Sequence, residues 1–524
     1  MTQSKPPKPR RMATAGLLLV LPFAAISASP ALADSGPSGV KVVAVAAESA
    51  AVSWNPYPGA AMYRVRLDWD GGSVGPKVDG TLMEWTRTSD DPQMIDSQRL
   101  QPDTTYQVRV RALTSTGADL SSYSTAVTFT TASADSLPEL APAEVSVAAA
   151  SKSSLYVAWR TRGPGFDYEL AYGTDSDLSN AKHVRFSVSG GVLSGLSPST
   201  KYYLKVRVVD GSGNPASPYS SVVSASTPGP SFAPGIKVAS YNVLKPGSGI
   251  NSWNLRRTLI AANITAADPD IIGLQEDTGV SVTPPGSGKL KQWADLDRLL
   301  SAKYAYTTTD NTSGTRVLYD TSRLTKIASG YQRLAPLVDK NPRYGVWAIF
   351  SDKLTGQRMF FINTHLQPTK GSSSSAVKKA WTTRNKQASA VLKLISAKNP
   401  SNLPVVVTGD MNSSRGTKPS NGAYAVYTAG GLIDPLGNAD DTWFATTQMG
   451  AEQAIDVNYN TFNGQGRTAR TTKYSVGTHV DYILTRNVAR VAQVQTVVNL
   501  DRQGRYIGTF PSDHNLLTAW VHLH

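Results

Sequence analysis

The sequence predicts a multidomain chain in which two all-β sandwiches precede an α/β domain with sheets at its centre. Three observations carry this. The 524 residues amount to about three domains by length. Residues 36–228 repeat a strand-rich pattern at an interval of 96 residues. Beyond residue 235, apolar runs of strand length alternate with helical patterns. Hydrophobic residues make up 40% and charged residues 17%, which suits packed domains and excludes a disordered chain. With no Cys, disulfide scaffolds, Cys-ligated zinc, iron–sulfur centres and thiol catalysis are excluded.

The first element is an export signal. Lys5, Lys8, Arg10 and Arg11 precede the apolar run Gly16 to Ile26, which leads to Ala31-Leu32-Ala33. This is the layout of a signal peptide over 1–33, with cleavage after Ala33. The apolar run has 11 residues, whereas a bilayer span needs about 20. The mature chain is therefore expected to be secreted and extracellular, with no integral membrane segment. The formal net charge of +14 divides unevenly: +4 in residues 1–33, −3 in 34–230 and +13 in 231–524. The basic last segment favours a polyanionic partner, such as nucleic acid, an anionic membrane or wall polymer.

The repeat comes next, over 36–132 and 141–228. The first copy contains Val52-Ser53-Trp54, Tyr63 to Leu67 and Leu100-Gln101-Pro102-Asp103-Thr104-Thr105-Tyr106. The second contains Val157-Ala158-Trp159, Tyr168-Glu169-Leu170 and Leu196-Ser197-Pro198-Ser199-Thr200-Lys201-Tyr202. Apolar and polar residues alternate in both, as in half-buried strands. These segments resemble fibronectin type III domains. The resemblance makes Trp54 and Trp159 core residues, and Tyr106 and Tyr202 corner residues bonded to backbone. It implies a spacer or an accessory that binds polysaccharide or cell-wall polymer. Residues 131–143 and 226–235 are rich in Ser, Ala, Pro and Gly and read as linkers.

The last element, 236–524, opens with a strand at Ile236 to Asn242 and an amphipathic helix marked by Leu255, Leu259, Ile260 and Ile264. Ile271 to Leu274, Met359 to Ile362, Pro404 to Thr408 and Val480 to Leu484 read as buried strands. Residues 440–475 read as a Thr/Gly/Asn-rich insertion.

Polar residues stand at the ends of these strands. Asn242 and Glu276 can give a divalent ion hard oxygen ligands, with Asp513 as a second carboxylate. Asp410 and Asn412, at i and i+2, are expected on one side of an extended segment, where they can orient a nucleophile and a phosphate. Gly409 between the strand and these residues suggests a close substrate approach. Asp481 can hold one ring nitrogen of His514 while the other takes a proton from water. His365 can stabilise charge on phosphoryl oxygens. His479 is read as structural, His522 and His524 as inert tail residues, and Arg384 and Gln387 as helix-surface packing.

The ordered segments S-Y-N-V, L-Q-E, N-T-H, G-D-M-N, V-D-Y-I and S-D-H, from 242 to 514, resemble the endonuclease/exonuclease/phosphatase superfamily. The resemblance covers the whole last segment and implies a four-layer α/β sandwich of the deoxyribonuclease-I-like kind. It implies hydrolysis of phosphodiesters or phosphomonoesters with Mg2+ (or Mn2+). Carried over by motif, Asn242, Glu276 and Asp513 serve the metal, and His365, Asp410, Asn412, Asp481 and His514 are catalytic; the resemblance also implies a phosphate-facing Arg on the strand before N-T-H, for which Arg343 is the candidate. A secreted nuclease acting on nucleic acid is the leading expectation. A sphingomyelinase-like phospholipid phosphodiesterase or a phosphomonoesterase is the alternative. A wall- or polysaccharide-binding protein with a degenerate last domain is the non-enzymatic rival.

Overall fold

A computed structural model describes residues 35–523 apart from 46–49, 61, 70–82, 88–92, 96–102, 115–117, 133–140, 143–144, 160–165, 335–341, 415–421, 437–450, 471–476 and 502–503. The signal-peptide reading, most of the first linker and His524 fall outside the described residues. Among those described, no helix is long and apolar enough to cross a membrane.

Each repeat copy is a sandwich of a three-stranded and a four-stranded sheet. Alternation does what the sequence implies. In Lys201–Val209 every second side chain is buried, and Leu204, Val206 and Val208 enter the core with Trp159 and Tyr168. The Trp159 and Tyr168 rings lie 5.3 Å apart, and Trp54 and Tyr63 repeat that spacing in the first copy. Tyr202 turns the corner by accepting the backbone N–H of Ser197 at 2.9 Å.

The last segment packs a seven-stranded sheet on a five-stranded one. Ile236–Asn242 runs parallel to Ile271–Gln275 and antiparallel to Leu516–His522. In the second sheet, Arg358–His365 runs parallel to Val405–Asp410, which pairs antiparallel with Asp481–Arg486. Apolar side chains such as Val238, Phe361, Val406 and Leu517 fill the space between the sheets. Helices Trp253–Ala267 and Gln292–Leu300 cover the outer face of the first sheet, and Ser374–Lys398 and Gly422–Ala429 cover the second. This gives four layers.

A buried polar seam joins the sheets. Asn363 donates to the carbonyls of Leu274 at 2.7 Å and Arg316 at 2.8 Å, and accepts from Gln275 at 2.7 Å and Thr408 at 3.1 Å. Glycine at 273 makes this approach feasible: a Cβ there would lie 2.1 Å from the Thr408 hydroxyl and 2.6 Å from Asn363.

Three local readings need correction. Leu255 is 60% exposed; the buried face of its helix carries Arg256 and Arg257 instead, because the neighbouring loops present carbonyls to Arg256 and helix Gln292–Leu300 presents Asp295 to Arg257. The stretch read as an insertion contains Ala451–Ile455, an edge strand of the seven-stranded sheet. His522 is no tail residue. It ends an interior strand and is buried against Tyr156 and Phe232.

His522 marks an interface. The second sandwich lays strands Ser146–Ser151 and Ser154–Ala158 over Leu516–His522, Arg490–Val497 and Ala451–Ile455. Tyr156 packs 5.5 Å from the Trp520 ring, and its hydroxyl lies 3.3 Å from Nε2 of His522. Burial, and then the Arg490 cation, lower the pKa of His522 to about 4. A histidine whose proton affinity drops on folding stabilises the fold fully above its ordinary pKa of 6.5, and that stability disappears as pH falls towards 4. The expected loss across this window is about 2–3 kcal/mol. Urea unfolding at a series of pH values should show this slope in the wild type and a flatter one in His522→Gln; equal slopes would refute it.

Candidate active site

Strand register assembles the site. Residue pairing sets His365 beside Asp410 and Asp410 beside Asp481, so three site residues form a row across the five-stranded sheet. From the facing sheet, Asn242 donates its amide to Asp410 Oδ2 at 3.1 Å, and the same amide nitrogen lies 3.4 Å from His514 Nε2. The Asn242 amide oxygen accepts the backbone N–H of Leu244 at 3.0 Å. His514 Nδ1 meets Asp481 Oδ2 at 2.8 Å, and its Nε2 stands 3.8 Å from Asp410 and 3.9 Å from Asp513. His365 Nε2 is 3.4 Å from Asp410 Oδ2. Every one of these side chains but Asp513 is below a tenth exposed.

Burial and charge divide the two histidines. Burial of His514 opposes its charge, but Asp481, Asp410 and Asp513 outweigh it and push the imidazole up to about 10. His365 goes the other way: burial, then the charges of Arg343 and His514, hold its pKa well below the ordinary value. His365 is thus held neutral, and His514 is the group whose proton affinity follows its carboxylate neighbours. Burial and the charge of Asp481 raise Asp410 to about 7, although His514 opposes them.

Two corrections concern the G-D-M-N segment. The strand ends at Asp410, and Asn412 has a left-handed φ of 50°, so alternation does not extend to it. A turn closed by Asn412 N–H on Asp410 Oδ1, at 2.8 Å, returns Asn412 to the site, where its amide donates to the carbonyl of Leu366 at 3.1 Å. Gly409 serves the sheet rather than a substrate: a Cβ there would lie 2.2 Å from the Thr364 carbonyl oxygen.

Glu276 follows the strand Ile271–Gln275 with a left-handed φ of 58°, a strained geometry for a side chain with a Cβ. The bend brings its carboxylate to the Lys245 N–H at 3.0 Å. Burial first, and then the charge of Glu276, raise the proton affinity of Asp513, although His514 opposes this. These two carboxylates, with the Asn242 amide, would offer a divalent cation hard-oxygen ligands. Asp410, Asp481 and His514 offer a second set, with ligand atoms within 4.8 Å of one another. There Asp481 is already committed to His514 and Asp410 to Asn242 and Asn412. Arg343 is buried at the head of Arg343–Asp352, near enough to act electrostatically on His365.

Sequence reasoning missed the supports. Arg256 donates to the carbonyls of Val243 at 2.8 Å, Leu244 at 2.9 Å and Pro511 at 2.8 Å, clamping the loops beyond Asn242 and before Asp513. Arg384 and Gln387 are buried, not helix-surface residues. Arg384 donates to Gln367 O and Thr369 Oγ1, both at 3.0 Å, and Gln387 accepts from Gln367 N at 3.0 Å, which fixes the loop after His365. Phe462, 45% exposed, sets its ring 5.0 Å from that of His514. Nothing in the local sequence distinguishes these residues from ordinary helix or loop positions. His479 is buried, with Nε2 2.9 Å from the Val457 carbonyl.

Residues 239–514 match the family model described as the Endonuclease/Exonuclease/phosphatase family, and residues 35–130 and 140–225 match that of the Fibronectin type III domain. Contactin-3 of Mus musculus is 27% identical over 224 residues, which are 40% of this chain and 20% of contactin-3. The chain thus spans about a fifth of the length of that curated relative. Among solved structures, an endonuclease/exonuclease/phosphatase family protein from Bacteroides thetaiotaomicron aligns at 20% identity and a TM-score of 0.40, over 55% of this chain and 97% of that one. A mannosyl-6-phosphatase from the same organism aligns at 19% identity and a TM-score of 0.39, over 55% and 99%.

The donor set around Glu276 has a direct readout. Titration calorimetry should show Mg2+ binding that Asp513→Asn and Glu276→Gln each weaken at least about tenfold, the scale on which a lost carboxylate changes such sites. Unchanged affinity in both variants would move the ion to the Asp410, Asp481 and His514 group.

Proposed function

The chain belongs to the endonuclease/exonuclease/phosphatase family, and on that premise we propose that it is a secreted nuclease dependent on Mg2+ or Mn2+ that hydrolyses nucleic-acid phosphodiester bonds. The observation that carries this reading is the buried row His365–Asp410–Asp481, met from the facing sheet by Asn242 and His514. Members of the family are phosphoric ester hydrolases that depend on a divalent metal. A net charge of +13 over residues 231–524 supports a long anionic substrate, since backbone contacts dominate affinity for nucleic acid.

In this reading Glu276, Asp513 and Asn242 hold the cation, which supplies positive charge at a phosphoryl oxygen. Asp481 fixes His514 with Nδ1 toward the carboxylate, so that Nε2 is the atom that takes a proton from the attacking water. Cation charge beside Asp513 would offset the carboxylates that keep His514 protonated and so free it to act as a base. Asp410 and Asn412 orient the water and the scissile phosphate. His365, held neutral, donates to the phosphoryl oxygens where charge grows, and Arg343 adds to the same field. The fibronectin type III pair carries the proposed contact with polysaccharide or cell-wall polymer. The exposed Ile250 and Phe462 on the rim favour the second reading, an amphiphilic phosphodiester such as a phospholipid headgroup.

The test is degradation of plasmid DNA by residues 34–524. Cleavage should require Mg2+, stop with chelator, and fall by about ten-thousand-fold in both His514→Ala and Asp481→Asn. Absence of cleavage with every divalent ion would remove DNA as substrate. RNA, sphingomyelin and phosphomonoesters would then be assayed against the same variants.

A further inference from the structure

We propose that the second fibronectin type III domain is a working layer of the catalytic domain, holding the segment 456–465 that positions the Asp481–His514 pair. The kinetic part of this inference rests on the hydrolase reading above; the structural part does not.

The outer face of the seven-stranded sheet needs cover along its whole width. Its Ile236–Asn242 side has helices Trp253–Ala267 and Gln292–Leu300. On its Ala451–Ile455 side, among the described residues, the cover is the second sandwich. Ala148, Ala150, Tyr156 and Val192 from that sandwich close on Ala492 and Trp520. Two catalytic-domain amides then cap backbone of the sandwich. Gln453 donates to Ser146 O at 3.1 Å and Tyr156 O at 3.4 Å, and Gln493 donates to Val157 O at 3.3 Å. Arg490 donates to Ala149 O. A flexible tether does not bury carbonyls of one domain under side chains of another. The intervening chain is pinned as well, since Arg323 donates to the carbonyl of Gly235 at 3.3 Å.

The covered edge strand leads straight to the site. Ile455 abuts Gly190 of the sandwich, where a Cβ would lie 2.9 Å from the Ile455 methyl. The next residue, Asp456, bonds the side chain of Ser189. Five positions on, Thr461 is fully buried, and its hydroxyl accepts the N–H groups of Val480 at 3.0 Å and Asp481 at 3.1 Å. Phe462 meets the His514 ring, and the Asn463 N–H bonds the Asp513 carbonyl at 2.8 Å. Gln465 accepts the Ile250 N–H at 2.7 Å, reaching the loop beyond Asn242. One continuous segment therefore touches the sandwich at its start and the base, its orienting acid and a cation ligand further along. Thr461 is a positioning residue acting through Asp481, and Ser189 and Asp456 anchor the segment that carries it.

Ala148 and Ala150 face the catalytic domain and lie outside the sandwich's own core cluster. The double variant Ala148→Glu, Ala150→Glu therefore charges the interface without touching that core. Hydrogen exchange on the whole chain reads undocking at Ser146–Ser151 and Arg490–Val497, and reads the segment at the amides of Thr461 and Asn463. Undocking should speed exchange at Thr461 and Asn463 by about tenfold or more, while Lys201–Val209 stays protected. With bis-p-nitrophenyl phosphate, kcat should fall about tenfold at nearly constant KM, because the base is misplaced and the small substrate binds as before. The conservative Ala150→Ser should keep both values. If the double variant unfolds the sandwich, Gln453→Ala, Gln493→Ala loosens the same contact from the other side. Undocking that leaves exchange at 461 and 463 and kcat unchanged overturns the proposal, as does a variant that stays docked. A wild type that cleaves no phosphoester defeats the hydrolase reading alone, because the exchange comparison still decides whether the segment depends on the docked domain.

Discussion

The site depends on how closely two sheets approach each other at one end. Side chains from both must meet within hydrogen-bonding distance, yet sheets packed face to face ordinarily stand about 10 Å apart. Gly273 removes the Cβ that would hold them off, and Asn363 fills the vacated space with an amide that bonds both sheets. A short distance along the same strands, the Asn242 amide crosses to Asp410. An apolar residue at 363 would fill similar volume but lose the amide's bonds to both sheets, so the seam aligns the sheets as well as closing them.

Collecting this much charge in a buried place has a logic of its own. Asp410, Asp481 and Asp513 surround His514, Glu276 acts on Asp513, and each carboxylate raises the proton affinity of a neighbour or of the imidazole. Such a cluster is costly to bury, and the raised proton affinities express that cost. Arg256 stands close enough to Asp513 and Glu276, and Arg384 to Asp410, for their charges to act there, while their guanidiniums hold the flanking loops. Those two arginines confer both rigidity and part of the compensating charge.

What the sequence revealed follows from which forces are local. Buried strands announce themselves as apolar runs, and a polar residue at the end of such a run, as with Asn242 or Asp410, stands out. The Asp481–His514 pair was legible as chemistry, although its contact depends on pairing between distant strands. Asn412 was misjudged because the strand stops two residues earlier, and the reversal at φ 50° is set by its bond to Asp410 rather than by alternation. Arg384 and Gln387 looked like surface because amphipathic periodicity does not tell an apolar partner from a loop that offers backbone polar groups. His522 and Thr461 were missed for a broader reason. Their importance comes from a neighbouring domain and from a segment over which sequence pattern has no reach.

The wiring also governs when the site can exist. Asn242 meets His514 across 272 positions of chain, and the strand that seats His514 ends at residue 522. No shorter chain contains the complete arrangement, whatever else has already folded. During synthesis the sandwich domains therefore emerge long before Asp513 and His514 can join Asn242, Asp410 and Asp481. A chain that stops short of residue 514 would keep its sandwiches and lack the Asp481–His514 contact altogether.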